Sequence, residues 1–467
     1  MRRLKAPSLE SLFVAVLVLL GFRLGVLAIA DNSMFTHLRT GIDIAAGEGI
    51  PRSDPYSYTA GGTEWVVQSW LPEWTYGWLY RLADMRLVVF QQAILFALLA
   101  WLVCRLAKAN TPVRTAASAS LAVALGAAYW SPRPLLFGLI CMALTVTVVE
   151  RRRTPWLLVP IVWLWVNSHG SFPLGLVWLG ARAAGEWLDW KDRPRETARY
   201  IWGFLAGLGV AVLNPLGARL LLFPLTLGEK RTVFDTVREW QSPNFHAPVN
   251  RLALVLLAVI IVLLLRARLT WRDAVPSTAF LIMSLYAVRN IPLLAIVLAP
   301  VLARILKRPD YADSRPRPTE RQLRLNRVMA LLIGLMFVIF GVTVVTGDPL
   351  NTARYPEEAA TWMEVNGLLG EPNRLAHQDF VGNYLELRYG RAVPVFIDDR
   401  IDMYPAEVST DYLHLLQGRD VLEILDRYGV TFALWEVDRP LPQILGLSAD
   451  WQEAYRDDRW VIYRRLR

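Results

Sequence analysis

The stretch MRRLKAPSLESLFVAVLVLLGFRLGVLAIAD, residues 1–31, decides how the rest of the chain is read. Arg2, Arg3 and Lys5 precede about twenty mostly apolar residues, and Asp31 follows directly. A helix of that length, rising about 1.5 Å per residue, matches the hydrocarbon core of a bilayer, about 30 Å thick. The run is too long for a signal-peptide core and has no small-residue cleavage site. It is expected to be an uncleaved anchor with the N-terminus in the cytoplasm.

The whole chain agrees with that reading. Of its 467 residues 54% are hydrophobic and only 19% charged, with 19 Trp, whereas soluble domains average about 25% charged. Two cysteines, Cys104 and Cys141, both in apolar runs, exclude a disulfide framework. Roughly eleven segments have the apolarity of membrane helices, with cores at 11–30, 86–106, 115–131, 134–150, 155–168, 172–188, 200–216, 251–266, 274–288, 291–306 and 328–346.

The formal charge of +9 conceals a division. Residues 347–467 hold 13 basic and 21 acidic residues, so the excess of cations lies entirely in residues 1–346. There it gathers at Arg105/Lys108/Arg114, Arg151–Arg153, Lys191/Arg193/Arg195/Arg199, Arg266/Arg268/Arg272 and between Arg304 and Arg327. Each cluster occupies every second turn between apolar segments, as the positive-inside rule requires. The pattern points to a lipid bilayer and not to nucleic acid. The expected fold is an all-α polytopic membrane domain, residues 1–346 with a first outer loop at 31–85, followed by a small extracytoplasmic α/β domain at 347–467. In that tail helices are expected at Pro356–Gly367, Ala406–Gln417 and Val421–Tyr428. Strands are expected at Ala392–Ile397 and Val430–Trp435, with a hairpin at Glu453–Arg465 turning at Asp457–Asp458.

This sidedness sends most of the unusual polar residues outward. Asp31 stands where the first span emerges, either as a helix-end carboxylate or as a general base for a hydroxyl. Met34, Phe35, Leu38, Ile42 and Ala45 follow at helical spacing, as in an amphipathic helix lying in the interface. His37 on that helix either packs or serves a site. Asp54 precedes Pro55, so it is a turn-former or a second working carboxylate. Trp70, Trp74 and Trp78 recur every fourth residue, as an interfacial belt or as a wall for a lipid tail. Asn167 and His169 sit in the turn Asn167-Ser-His-Gly-Ser171. Arg133, Glu239 and Arg289 are charged groups on the outer side, where the guanidinium groups snorkel or meet an anion such as phosphate. Asp398 and Arg400 belong to Phe396-Ile-Asp-Asp-Arg-Ile-Asp402, first of all a structural ion-pair network, with acceptor or metal contact behind it. No phosphate-binding glycine loop, HExxH or CxxC pair is present.

Together, Asp31-Asn-Ser-Met-Phe-Thr-His-Leu-Arg-Thr-Gly41, Gly49-Ile-Pro-Arg-Ser-Asp-Pro-Tyr-Ser-Tyr-Thr59, Trp165-Val-Asn-Ser-His-Gly170, Asn214-Pro-Leu-Gly217, Glu239-Trp-Gln-Ser-Pro243 and Phe396-Ile-Asp-Asp-Arg400 resemble the GT-C superfamily. These are multi-spanning glycosyltransferases that use polyprenyl-phosphate-linked sugars, and the resemblance is strongest to mannosyltransferase-like bacterial membrane proteins. It implies an inverting transferase of the bacterial inner membrane. Such an enzyme moves a sugar from a polyprenyl-phosphate donor to a glycan, lipid or protein acceptor outside the cytoplasm. On this likeness Asp31 is the base, and Asp54 is a supporting carboxylate or a ligand of a divalent cation, the one candidate cofactor. Arg133 and Arg289 are candidate ligands of the donor phosphate. His37, Asn167, His169, Glu239, Asp398 and Arg400 are candidate substrate contacts. The sequence departs from the family pattern at Phe35-Thr36, where paired aromatics are usual, and at Asp31-Asn32, where an acidic pair is usual. A catalytically idle scaffold and a lipid-linked glycan transporter are the alternative readings.

Overall fold

The computed structural model describes residues 6–189, 196–226, 238–307 and 318–466. Arg2, Arg3, Lys5, Lys191, Arg193, Arg195 and the basic residues between 308 and 317, used above for sidedness, lie outside the described residues. The chain forms two compact units. One comprises Met1–Ala28, Ala83–Pro224 and Phe234–Pro349; the other comprises Ile29–Leu82, Leu225–Val233 and Leu350–Arg467.

The first unit is helical. Each of the eleven apolar segments coincides with a helix, among them Leu9–Gly25, Leu135–Glu150, Pro173–Asp189 and Ile291–Ile305. Among the described residues, however, only four helices combine the length and apolarity needed to cross a membrane: Trp70–Leu106, Pro248–Arg266, Val288–Ile305 and Glu320–Thr346. The Leu158–Val166 helix shows why the others fall short, since its nine residues rise only about 14 Å. Ile291–Ile305 is apolar on all sides and buried from Ile291 to Ala303, as a central helix must be. Glycine permits a close approach between the Leu9–Gly25 and Trp70–Leu106 helices: a Cβ on Gly25 would lie 2.4 Å from the Ala93 Cα.

Helix ends in this unit gather in two sets. Arg304 binds Glu150 and Asp273, each at 2.6 Å, and Arg182 binds Glu150 at 2.6 Å. Glu186 accepts from the Thr197 hydroxyl at 2.6 Å. These groups come from the last turns of three helices and the start of two others. The opposite ends supply Tyr129, whose hydroxyl donates to Asn250 at 2.7 Å, and Arg133, which binds Glu239 at 2.5 Å.

The second unit joins the first loop to the tail. A parallel bridge pairs Ile29 with Leu350. Its sheet runs β1 (Leu375–His377), β2 (Phe432–Glu436), β4 (Trp460–Arg465), β3 (Trp451–Arg456), with β1 and β2 parallel and the remaining pairs antiparallel. The β3–β4 hairpin turns at Asp457–Asp458, and helices at Glu357–Val365, Ala406–Gln417 and Val421–Arg427 agree with expectation.

Two expectations are corrected. The Ala392–Ile397 stretch is not a sheet strand. Val395 pairs with the first loop, donating to the Tyr56 carbonyl at 2.9 Å and accepting from Tyr58 N at 3.0 Å, and Pro394 lacks the N–H a central strand needs. The first loop contributes to the core of this unit: Tyr56, Trp65 and Val67 share a cluster with Phe396, Tyr404, Trp435 and Val461. The helix carrying Met34, Phe35 and Leu38 runs Ser33–Asp43, and all three are fully buried in protein instead of lying at an interface.

Candidate active site

The Ser33–Asp43 helix organises the polar residues of the second unit. Its stripe Thr36, Thr40 and Asp43, at spacings of four and three, is buried. Thr36 donates to Glu386 at 2.7 Å, and the Tyr56 hydroxyl donates to Asp43 at 2.8 Å. Arg39 pairs with Asp43 one turn on.

At the start of this helix stands Asp31, half-buried, its Oδ1 accepting from Ser33 N at 3.2 Å. The Asn32 amide donates to Asp399 Oδ2 at 3.2 Å, and the Ser33 hydroxyl donates to the same oxygen. Asn383, fully buried, donates to Asp399 Oδ1 and to the Asn32 carbonyl, the latter at 3.1 Å. Arg354 donates to Asn32 Oδ1 at 2.9 Å and to the Tyr355 hydroxyl at 3.0 Å. Burial pushes the Tyr355 phenol up, Arg354 opposes that shift, and the charges of Asp31 and Asp399 reinforce it. Two carboxylates, from loop and tail, and one guanidinium thus surround Tyr355. Asp399 and Arg354 were not singled out from the sequence. The signal for Asp399 lay in the alternation of an extended segment: Asp398 and Arg400 are buried, and Asp399 between them is half-exposed.

Asp54, Asp398 and Arg400 do come together, deeper in the same unit. Arg400 contacts Asp398 at 2.5 Å, Asp54 at 2.9 Å and Glu386 at 3.4 Å, and lies over the Trp65 and Tyr56 rings. Asp54 also accepts from Tyr56 N at 3.1 Å and Ser57 N at 3.0 Å, the turn that its place before Pro55 suggested. Burial and the neighbouring Asp398 hold the Glu386 carboxyl well above the ordinary carboxylate range. Burial would raise Asp398 too, but Arg400 and the hydrogen bonds from Glu386 and Tyr404 carry it below that range. Glu386 therefore keeps its proton and donates to Asp398, which leaves two anions facing one cation.

His37 points elsewhere. Its Nδ1 lies 2.7 Å from Glu73 Oε1 on the Trp70–Leu106 helix. Glycine explains the meeting, because Gly41 and Gly77 stand one turn beyond His37 and Glu73. A Cβ on Gly77 would lie 1.9 Å from the Gly41 carbonyl oxygen, so only this pair lets the backbones touch. Glu73 was missed from the sequence because nothing there shows that two helices cross at glycines.

The remaining candidates belong to the first unit. Arg133 binds Glu239, and Arg289 stacks 4.2 Å over the neighbouring Trp240 ring, so three of them share one region. Asn167, fully buried, donates back to the Trp163 carbonyl at 2.7 Å, and His169 Nδ1 accepts from Ser171 N at 3.1 Å. That turn is bonded to itself. Among the described residues no three His, Cys, Asp or Glu side chains converge as a metal site. Asp399 is surrounded by N–H and O–H donors, a poor setting for a cation.

No family model matches the sequence, and no curated protein matches it well enough to count as a relative. Solved structures do resemble it. The oligosaccharyltransferase AglB of Archaeoglobus fulgidus, tethered to an acceptor peptide containing the NVT sequon, superposes with a TM-score of 0.56 at 11% identity, over 91% of this chain and 69% of that one. The same protein with an inhibitory peptide and a dolichol-phosphate gives 0.53 at 11% identity over the same shares. ArnT of Cupriavidus metallidurans, in the apo state, gives 0.51 at 14% identity over 97% of both chains. AglB and ArnT are GT-C glycosyltransferases, and this chain shares their fold.

Proposed function

We propose that this chain is a membrane-embedded glycosyltransferase of the bacterial inner membrane, transferring a sugar from a polyprenyl-phosphate donor to a glycan, lipid or protein acceptor on the extracytoplasmic side. The observation that carries the reading is the half-buried Asp31–Asp399–Arg354 group, on a chain that shares its fold with ArnT and with an oligosaccharyltransferase solved in complex with dolichol-phosphate. In this reading the chain crosses the membrane about eleven times, with its N-terminus inside and its tail outside. Residues 1–346 form the membrane domain, from which the first outer loop at 31–85 projects to join the outer domain at 347–467.

The proposed chemistry is a single inverting displacement. The donor's anomeric C–O bond breaks and its electron pair stays with phosphate. The acceptor oxygen forms the new bond, and its proton passes to Asp31, which must lie within about 3 Å of it. Asp399 holds the Asn32–Ser33 turn that aims Asp31. Asp54, with Asp398 and Arg400, supports the loop from below. Arg133 and Arg289 are proposed ligands for an anionic group, since a guanidinium offsets charge developing on a leaving phosphate. Asn167, His169 and Glu239 are proposed substrate contacts.

The test is sugar transfer by purified wild type and Asp31→Asn across a panel of polyprenyl-phosphate sugars. Loss of at least 100-fold in the variant, the scale of one general base, is expected. Full activity in Asp31→Asn would remove the assigned base, and no turnover by wild type with any donor would favour the scaffold reading.

A further inference from the structure

We infer that the cavity at the basic helix ends of the first unit binds the phosphate headgroup of an anionic phospholipid, at a site separate from the proposed transfer chemistry. None of the residues assigned to sugar transfer takes part, so the site holds whatever the donor is.

The cavity measures about 220 Å³ and is walled chiefly by arginine and glutamate side chains. That is room for a phosphate group and several waters, each about 30 Å³ in the liquid. Four helices meet there. Glu150 closes Leu135–Glu150, and Arg182 and Glu186 lie in the last two turns of Pro173–Asp189. Thr197 precedes Ala198–Ala211, and Arg272 lies in the first turn of Trp271–Tyr286.

The carboxylates on these walls are engaged. Glu150 takes Arg182 on one oxygen and Arg304 on the other, each at 2.6 Å. Glu186 takes the Thr197 hydroxyl at 2.6 Å and the Thr197 N–H at 3.0 Å. Glu196 lies 3.4 Å from Arg152, and Asp189 accepts from the N–H groups of Trp271 and Arg272, each at 2.8 Å. The guanidinium groups are less well served. Among the described residues no carboxylate lies within 4 Å of the Arg272 guanidinium, which makes no hydrogen bond although its Nε is shut off from solvent. Arg182 is 5% exposed, and its Nε also lacks a hydrogen-bond partner, with Glu186 Oε1 standing off at 3.7 Å. A buried N–H without an acceptor costs about 1–3 kcal/mol. Two of them on one cavity mark a place for an acceptor that the described residues do not provide. Arg152 is the third arginine on the wall, so the acceptor is an anion and not a cation. Phosphate fits best, since the planar guanidinium fork donates to two of its oxygens at once.

Depth names the source of that phosphate. Trp156, Trp187, Trp202 and Trp271 stand near these same helix ends, each more than half exposed. Exposed tryptophans at helix ends sit at the level of lipid headgroups. The cations here are those that the positive-inside rule assigns to the cytoplasm, and the leaflet on that side carries anionic lipid. A basic pocket between helices at that level takes a headgroup while the acyl chains stay in the bilayer.

The test uses the full chain in nanodiscs of phosphatidylcholine, alone or mixed with phosphatidylglycerol, and in detergent with inorganic phosphate. Wild type should retain phosphatidylglycerol over phosphatidylcholine by about tenfold or more, read by native mass spectrometry. It should also unfold about 2 °C or more higher in the mixed discs. Arg272→Gln strands no carboxylate, because Arg272 has no ion pair. The variant should match wild type in phosphatidylcholine and lose both the preference and the thermal gain. A phosphatidylglycerol with a photoreactive headgroup should label wild type at the helix ends around Arg182 and Arg272, a readout that needs no variant. The proposal is overturned if wild type retains both lipids alike, if folded Arg272→Gln keeps the preference, or if the label falls elsewhere. It is equally overturned if inorganic phosphate gives the whole thermal gain and the lipid adds nothing. Sugar transfer enters none of these readouts, so failure here leaves the transferase reading standing, and the reverse.

Discussion

Arg400 shows how a buried charge in this protein is made tolerable, and what removing it should cost. It is 7% exposed, touches Asp54, Asp398 and Glu386, and lies 4.5 Å over Trp65 and 5.0 Å over Tyr56. Removing one partner from a buried ionic group strands the others, which costs about 3–5 kcal/mol. Arg400→Met should therefore destabilise the second unit by that amount. Glu386→Gln should cost under about 1 kcal/mol, because a side-chain amide reproduces the protonated acid: its oxygen accepts from Arg400 in the place of Oε1, and its NH₂, in the place of Oε2 beside Thr36, supplies the N–H donor that the acid's O–H supplied. The pH dependence follows from the raised Glu386 carboxyl. Its stabilising proton is fully present below the ordinary range near 4.5 and is lost as pH rises through the elevated value. Wild type should thus lose stability relative to Glu386→Gln as pH increases, read as diverging melting temperatures. Parallel melting curves across pH, or a Glu386→Gln loss as large as that of Arg400→Met, would show that Glu386 carries a charge the fold needs.

At the scale of elements, three-residue β1 is pinned by the histidine at its end. His377 is fully buried. Its Nδ1 lies 2.9 Å from the Gln378 carbonyl, so it carries the proton, and Nε2 accepts from Phe396 N at 3.0 Å. A second proton would break the bond to Phe396, and burial accordingly pushes this imidazole down to about 4. A base lowered in the fold gives stability that is present above its ordinary value of 6.5 and is lost as pH falls toward about 4. That loss is at most about 3 kcal/mol. His377→Leu should be less stable at pH 7 by about 1–3 kcal/mol, since Phe396 N–H is orphaned. It should also lack this increment of acid sensitivity, so the gap to wild type narrows between pH 6.5 and 4.5; a constant gap would mean His377 does not titrate with unfolding. Neither β1 nor the true partner of the Ala392–Ile397 stretch beside it was legible in the sequence, and for opposite reasons. Leu375–His377 is too short to show a period of two, whereas Ala392–Ile397 has the apolarity of a strand but finds its partner in Tyr56–Tyr58, more than 300 residues upstream. The hairpin and the three tail helices were legible because local pattern fixes them. Asp31, Asp54, Asp398 and Arg400 were noticed as polar residues in suspicious places. That the last three would be one cluster, with Glu386 beside Arg400, Asp399 beside Asn32 and Ser33, and Glu73 beside His37, depends on long-range packing that local pattern does not carry.

At the scale of the whole chain, the question is sidedness. The sequence placed the ends bearing Arg151–Arg153, Arg199, Arg266–Arg272 and Arg304 on one side. In the structure Glu150, Arg182, Asp273 and Arg304, which belong to those same ends, join in one ionic network. Arg133, Glu239 and Arg289 belong to the opposite ends and meet one another. Two independent regularities, cation spacing in the sequence and helix-end pairing in the fold, therefore sort the ends the same way. The positive-inside rule then predicts which set faces the cytoplasm. Cys104 and Cys141 are buried, so single exposed cysteines can be labelled against a quiet background. Leu447, 91% exposed in the tail, and Arg153, exposed after the Leu135–Glu150 helix, are suitable positions. On intact spheroplasts a membrane-impermeant maleimide should modify Leu447→Cys, and should reach Arg153→Cys only after permeabilisation. The reverse pattern would turn the chain over, placing Asp31 and His37 where the cytoplasm, not the outer envelope, supplies the acceptor. Equal labelling of both positions would mean that the basic helix ends do not face a separate compartment from the tail, and the membrane reading would lose its orientation.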